Sequence, residues 1–181
     1  SKYIVFKRDK SICTERLQLN CNIADFPAGL VAVEAVNDGI QIYFVFVTAK
    51  GVFITVPVNN PEKKVVFEIE TANISGMCVK DSFAYAGTEM GLVLKVDMNT
   101  RKIVDKYETG SKFPIFNLKI VQNYLILGTC QGEIHITSLD FTDKKIISAH
   151  EGMISLFSVD KDKLYSIGDD LVMRRWVVSK E

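Results

Sequence analysis

Three residue types that form a nucleophilic triad stand near the carboxyl-terminal end of the sequence. His150, Ser166 and Asp170 could supply a base, a nucleophile and an orienting carboxylate for acyl transfer. Asp169 and Asp170 are adjacent carboxylates, but neighbouring side chains in a turn diverge and do not face each other across a substrate. The repeat pattern described below explains these residues better than catalysis does. We therefore predict no enzymatic activity.

Cys130 and His135 are the nearest pair of potential metal ligands. The sequence holds only two histidines and no second cysteine near Cys130, whereas a structural zinc ion takes four ligands. No glycine-rich phosphate loop occurs. The remaining cysteines are Cys13, Cys21 and Cys78, and none of the four has Cys-x-x-Cys spacing. This usage indicates free thiols in a reducing compartment, so we predict a cytoplasmic or nuclear protein without metal or cofactor.

The charge balance gives no general attraction to nucleic acid. There are 22 basic and 22 acidic residues, so the formal net charge is zero. The only hints of a basic stripe are Lys7, Arg8 and Lys10 with Arg16, and the pair Arg174 and Arg175. No apolar run reaches the roughly 18 to 20 residues of a membrane span, and the amino terminus has no signal-peptide core. The sequence thus predicts no membrane partner and gives nucleic acid little support.

Short apolar runs rich in β-branched and aromatic residues predict strands throughout. Residues 40–47 (IQIYFVFV) are apolar at almost every position, which predicts a strand covered on both faces. The preceding Asn37-Asp38-Gly39 favours a tight hairpin turn, because these residue types tolerate a positive φ angle. Residues 3–19 contain two further strand-like runs and predict a hairpin.

A glycine recurs at the same place in successive repeats of four strands. Gly51, Gly91 and Gly132 follow the second strand of successive repeats, and Leu171 occupies the matching place in the last; by subtraction, the spacings are 40, 41 and 39 residues. Four strands in about 40 residues are typical of a β-propeller blade. An antiparallel sandwich or barrel has similar strand spacing, but it gives no reason for this recurrence.

The last repeat resembles the WD40 repeat. His150, Ser166, Asp170 and Trp176 occupy the places of the family's histidine, strand serine, turn aspartate and tryptophan. The resemblance implies that these four side chains form a buried hydrogen-bonded network with a structural role. In the three earlier repeats the aspartate place holds Lys50, Met90 and Gln131, and the tryptophan place holds Val56, Val96 and Thr137. Those blades should rely on apolar packing.

The expected fold is an all-β, WD40-like propeller with about four and a half blades of four antiparallel strands. We assign residues 1–22 to an amino-terminal hairpin and residues 23–70, 71–109, 110–146 and 147–181 to four blades, the last lacking its outer strand. An amino-terminal strand could complete that blade, as is common in the family. Two strands stand where one is needed, however, so we predict a part of a larger propeller or a half that a second chain closes.

The predicted function is a non-catalytic scaffold, a WD-repeat subunit of an intracellular complex. It would bind a peptide or protein on the rim formed by the turns after each second strand and the links between blades. Phe113 and Met153 are the apolar anchors expected there, although Phe113 could instead be a core residue at the start of a strand. A nucleic-acid-associated subunit and, less favoured, a propeller enzyme are the alternatives. The predicted contact residues are Lys50, Glu89, Met90, Lys112, Phe113, Gln131, Glu151, Met153 and Asp169.

Overall fold

A computed structural model of the chain describes residues 29–71, 73–161 and 163–177, together with the strands at 4–6, 12–14 and 18–19. Each blade is an antiparallel sheet whose strands follow in chain order. Blade 1 contains β4 (Leu30–Asn37), β5 (Ile42–Thr48), β6 (Val52–Pro57) and β7 (Val65–Glu68); blade 2 contains β8 (Ile74–Lys80), β9 (Phe83–Thr88), β10 (Leu92–Asp97) and β11 (Lys102–Glu108). Blade 3 contains β12 (Asn117–Val121), β13 (Tyr124–Gly128), β14 (Glu133–Ser138) and β15 (Lys144–Ser148). Blade 4 contains β16 (Ile154–Asp160), β17 (Lys163–Gly168) and β18 (Met173–Val177).

The inner strands β4, β8, β12 and β16 surround a central channel of about 220 Å³. Across it, the Nζ atom of Lys119 in blade 3 lies 3.6 Å from the Oε1 atom of Glu34 in blade 1. The predicted all-β propeller is therefore confirmed. Within the described ranges the only helical element is a single 3-10 turn at Pro61–Lys63, and no helix there is long and apolar enough to span a membrane.

The core lies between the blades. One apolar cluster joins blades 1 and 2 and includes Val47, Phe53 and Ile74, while further clusters join blades 2 and 3 and blades 3 and 4. The middle strands are buried on both faces, as predicted for residues 40–47: Phe44, Val45, Phe46 and Val47 are all buried. Burial of each such side chain contributes about 1.5 to 3 kcal/mol, so packing between blades dominates the stability of the fold.

The turn before β5 differs from the prediction. Residues 38–41 form the connection, and Ile40 is 94% exposed instead of beginning a covered strand. Asp38 causes this, because its side-chain oxygen accepts hydrogen bonds from the backbone N–H groups of Ile40 (2.9 Å) and Gln41 (2.8 Å). Such a local bond competes with strand pairing.

The described residues of the amino-terminal segment form three strands where two were predicted. These are β1 (Ile4–Phe6), β2 (Ile12–Thr14) and β3 (Gln18–Leu19), which form a separate antiparallel sheet. Their pairing partners are one another, and among the described strands β18 of blade 4 pairs only with β17. The suggestion that an amino-terminal strand completes blade 4 is therefore wrong for the described strands.

Candidate functional site

The turns after each second strand and the links between blades lie on one rim of the propeller, here called the loop rim. Backbone hydrogen bonds connect each link to the turn of the blade before it. Ile74 donates to the carbonyl of Ala49, Ile115 to Thr88 and Ile154 to Thr129, at 2.8, 3.1 and 3.2 Å. Each link is thus fixed to the turn of the preceding blade.

The recurring glycines supply the backbone geometry of these turns. Gly51, Gly91 and Gly132 have φ angles of 82°, 75° and 81°, and Leu171 has the same left-handed conformation with φ of 60°. A Cβ atom at Gly132 would collide with the carbonyl of His150, because the chain leaving the outer strand of blade 3 returns across that turn. Leu171 is 92% exposed, so its side chain meets no such crowding.

Blades 1 to 3 stabilise the turn with a buried threonine at the end of the second strand. Thr48, Thr88 and Thr129 occupy this place and are almost completely buried. The hydroxyl of Thr129 accepts hydrogen bonds from the N–H groups of Gln131 (3.3 Å) and Glu133 (3.1 Å), and Thr88 accepts the equivalent pair in blade 2. One hydroxyl therefore satisfies turn donors that a buried site would otherwise leave unpaired.

Blade 4 has Gly168 at the threonine place, and the ring of His150 occupies the space. A Cβ atom at position 168 would lie 2.6 Å from Cγ of His150. His150 Nδ1 lies 2.9 Å from Asp170 Oδ1, and Nε2 lies 2.7 Å from Ser166 Oγ. The indole N–H of Trp176 donates to the same serine oxygen at 2.9 Å. The structure thus brings together all four residues of the WD40-like pattern.

The bonding order follows from donor and acceptor capacity. Trp176 can only donate, so the single hydroxyl hydrogen of Ser166 is free to go to Nε2 of His150. Nδ1 then carries the ring proton and donates it to Asp170. This order gives each hydrogen an acceptor, as a buried polar network requires.

Asp170 joins this network to the turn. Burial alone would raise the pKa of Asp170, but hydrogen bonds from His150, Arg174 and the backbone of Val172 and Glu151 outweigh it and hold the pKa well below its usual range. Arg174 Nη1 lies 2.7 Å from both Asp170 Oδ2 and His150 Nδ1. Because Nδ1 donates in this order and a guanidinium has no acceptor, the hydrogen bond of Arg174 goes to Asp170 and not to the ring. The sequence pattern did not identify Arg174; its position four residues after the turn aspartate was the available signal.

The triad arrangement is present, but its serine is inaccessible. Ser166 is fully buried, and its oxygen is hydrogen-bonded to both His150 and Trp176. A nucleophile needs a position for the reacting carbon about 3 Å away. The burial of Ser166 leaves no such position beside its hydroxyl.

Cys130 and His135 do not meet at a metal site. Cys130 Sγ contacts the carbonyl oxygen of Pro114 at 3.7 Å, whereas the buried His135 ring lies 2.9 Å from the hydroxyl of Tyr107 and 3.2 Å from Glu133. The described residues contain no group of three or more potential metal-binding side chains.

The loop rim exposes most of the predicted contact residues. Phe113 and Met90 are 52% and 56% exposed, while Met153 is half-buried. The alternative position of Phe113 in the core is wrong, because β12 begins only at Asn117 and Ile115 is the buried residue of this segment. The other predicted contact residues are exposed: Lys50, Glu89, Lys112, Gln131, Glu151 and Asp169.

Two of these residues also stabilise the rim. Asp169 accepts a hydrogen bond from the N–H of Met153 at 3.2 Å, and Glu89 accepts one from the side chain of Asn73 at 3.0 Å. The sequence prediction missed Phe116, which is 53% exposed and lines the channel next to the rim. Phe116 and Ile115 are both apolar, so residue type does not show which of the two is exposed. Only the alternation of neighbouring side chains in an extended segment indicates that one is exposed when the other is buried.

Known structures show the same fold at low sequence identity. The computationally designed Ika4 protein is similar with a TM-score of 0.71 and 13% identity, over 85% of this chain and 94% of Ika4. The WD40 repeats of RRP9 are similar with a TM-score of 0.70 and 10% identity, over 83% of this chain and 48% of the RRP9 chain. U3-55K is similar with a TM-score of 0.65 and 7% identity, over 84% of this chain and 53% of the U3-55K chain. This chain therefore spans about half the length of those two structures.

The likeness reaches the fold and no further. No family model and no curated protein matches the sequence. The chain is a four-blade propeller similar in structure to WD40-repeat propellers.

Proposed function

We propose that the chain is a non-catalytic interaction scaffold that binds a protein or peptide on the loop rim. The observation that supports this most is the exposure of large apolar side chains there: Met90, Phe113 and Phe116 are each more than half exposed. Exposed apolar side chains that are grouped on one face commonly mark interaction surfaces.

The rim also holds its contact residues in place. The link that carries Phe113 is hydrogen-bonded to the turn that carries Met90, through Ile115 and Thr88, and Ser111 accepts the N–H of Phe113 at 3.2 Å. A rigid backbone lowers the entropy lost on binding, and aromatic and methionine side chains often dominate interface energies. Free cysteines Cys78 and Cys130 support an intracellular location.

A comparison of rim variants tests this function. The Met90→Ser/Phe113→Ser chain and a matched Ile40→Ser control, which removes an exposed apolar side chain from the opposite rim, are immobilised beside the unchanged chain. Quantitative mass spectrometry of proteins retained from a cell lysate should show at least one protein that the rim variant loses and the control keeps. Equal retention by all three chains would contradict the proposal.

We further propose that the free face of blade 4 is covered by a second chain or by a further segment of a longer protein. Ile167 pairs with both Leu156 and Met173, so these three residues form one row across the sheet, and they are 37%, 53% and 66% exposed. The residues that match Met173 in blades 1 to 3 are Phe53, Val93 and Ile134, and each is fully buried. The face that packs between blades elsewhere is therefore exposed in blade 4.

Sedimentation velocity over a range of concentrations tests a second copy as the covering chain. We expect reversible self-association that Met173→Glu abolishes. Met90→Glu, which changes an exposed methionine on the loop rim, should leave it intact. A stable monomer at all concentrations would rule out self-pairing as the way this face is covered.

A further inference from the structure

A second concave surface lies on the rim opposite the loop rim, between blades 1 and 2. It encloses about 680 Å³, and its lining includes Lys63 from the 3-10 turn of blade 1 and Arg101 from the turn between β10 and β11 of blade 2. We refer to it as the Lys63–Arg101 groove. It is larger than the central channel and lies outside the surface proposed above.

The two cations are available to a ligand. Both side chains are exposed, and the described residues include no carboxylate within ion-pair distance of either. Arg101 sits at a backbone φ of 61°, and its N–H donates to the carbonyl of Asp97 at 2.7 Å. The backbone position of Arg101 is thus set by a hydrogen-bonded turn.

The one carboxylate in the lining is already engaged. Asp38 accepts the backbone N–H groups of Gln41 and Ile40, and these bonds, that from Gln41 above all, hold the pKa of Asp38 below its usual range. The carboxylate stays ionised, but the two N–H dipoles point at it and offset part of its charge. The lining therefore carries two cations against one partly compensated anion.

The rest of the lining suits an extended peptide. Val65, Pro57 and Met98 provide apolar surface, and Asn60 and Asn99 provide amide groups that can bond a peptide backbone. Tyr43 spans the two blades, because its hydroxyl donates to the carbonyl of Asp81 at 3.3 Å. The floor of the groove is thereby held across the junction of the blades.

We propose that the Lys63–Arg101 groove binds a short acidic peptide segment, whose carboxylates pair with Arg101 and Lys63. A guanidinium can bond a carboxylate through two parallel N–H groups, whereas an ammonium acts as a point charge, so Arg101 should contribute more than Lys63. This proposal does not depend on binding at the loop rim.

The test uses the complete ¹⁵N-labelled chain and a hexaglutamate peptide as the probe at low ionic strength. Backbone amide signals of residues 60–65 and 98–102 should shift on titration. Arg101→Gln should weaken the affinity about tenfold, which corresponds to one charge-assisted hydrogen-bonded pair, and Lys63→Gln should weaken it less. Lys106→Gln, which removes the same charge from the outer strand of blade 2, should leave the affinity unchanged.

Three results would overturn the proposal. The first is the absence of shifts in these residues, and the second is an equal loss of affinity in Lys106→Gln and Arg101→Gln, which would indicate general charge attraction. The third is equal binding of inorganic phosphate at matched ionic strength, which would indicate a site for small anions. Unchanged amide spectra of the free variants away from the substitutions establish that each is folded.

Discussion

Blades 1 to 3 and blade 4 stabilise the same turn in two different ways. In blades 1 to 3 a buried threonine hydroxyl accepts N–H groups of its own turn, so the bond is local. In blade 4 the place is Gly168, and His150 from the preceding link fills the space and joins Ser166, Asp170 and Trp176. The two arrangements exclude each other, because a side chain at position 168 and the histidine ring need the same volume.

The two ways of stabilising the turn occur in blades with different numbers of described strands. In blades 1 to 3 the chain after the outer strand returns to the turn, and Ile69, Thr109 and Ala149 donate to the carbonyls of Gly51, Gly91 and Gly132 at 3.0, 3.2 and 2.9 Å. Blade 4 has three described strands, so no returning strand among the described residues braces its turn. We infer that the four-residue network provides the rigidity that the returning chain gives to the other blades.

The largest expected effect distinguishes a crowded turn from an open one. Gly132→Ala should destabilise the fold by about 3 kcal/mol or more, because the left-handed backbone disfavours a Cβ atom and that atom would also strike the carbonyl of His150. Leu171→Gly should change the stability by less than about 1 kcal/mol, since relief of the left-handed strain offsets the added entropy of the unfolded chain. Urea unfolding measures both, and similar losses would refute the distinction.

A double-mutant cycle tests whether the two arrangements are exclusive. Gly168→Thr alone should cost about 1 to 3 kcal/mol through overpacking against His150, and His150→Ser alone about 2 to 3 kcal/mol through loss of buried hydrogen bonds. Together they should cost less than the sum by about 1 kcal/mol, because the introduced threonine then fits as it does in blades 1 to 3. Additive losses in urea unfolding would show that the two sites are independent.

The threonine turns allow a smaller comparison among themselves. Thr129→Val should cost about 1 to 2 kcal/mol, because it leaves the N–H groups of Gln131 and Glu133 without their acceptor. Thr48→Val should cost less, since Thr48 accepts from Val52 alone among the described residues. Thermal unfolding with fitted enthalpies ranks the two, and a reversed order would exclude the hydroxyl as the cause.

The smallest effect concerns acid stability. Hydrogen bonds from Ser138 and Thr142 lower the pKa of Asp140 to about 2, and the pKa of Asp170 is also lowered. A carboxyl whose pKa is lower in the folded state binds protons more readily when unfolded. Its stabilising contribution is complete above the unfolded pKa of about 4 and is lost as the pH falls through the folded value.

Asp170→Asn and Asp140→Asn should therefore each flatten the fall of the urea midpoint between about pH 4 and pH 2. The matched control is Asp105→Asn, which removes an exposed carboxylate from the outer strand of blade 2. If the urea midpoint of both variants falls with pH as steeply as that of the unchanged chain, these carboxylates do not cause the loss of stability in acid.

Sequence alone located the repeats and the residues that brace blade 4. Gly51, Gly91, Gly132 and Leu171, which the sequence placed at matching positions of the repeats, all have positive φ angles. The pattern succeeded because a left-handed turn restricts residue type strongly and locally. The four residues of the blade 4 network were identified from the resemblance to the WD40 repeat, and the structure places them in hydrogen-bond contact.

Which side chains of the inner strands are exposed could not be predicted from the sequence, because three of these strands contain a β-bulge. The pairing of β4, β8 and β16 with their neighbours shifts between Leu30 and Ala32, Ile74 and Gly76, and Ile154 and Leu156. Each such bulge adds one residue and reverses the alternation of faces beyond it. Leu156 is therefore exposed beside the buried Ile154, although both belong to one apolar run.

The sequence thus determined the all-β class, the blade period and the turn chemistry, because these depend on residues close together in the chain. Tertiary structure decided which apolar side chains remain exposed, placed Arg174 against His150 and Asp170, and formed the Lys63–Arg101 groove from turns 38 residues apart. Those outcomes depend on how neighbouring blades pack. A repeated sequence pattern indicates where each blade lies in the chain, but it does not indicate which residues contact the next blade.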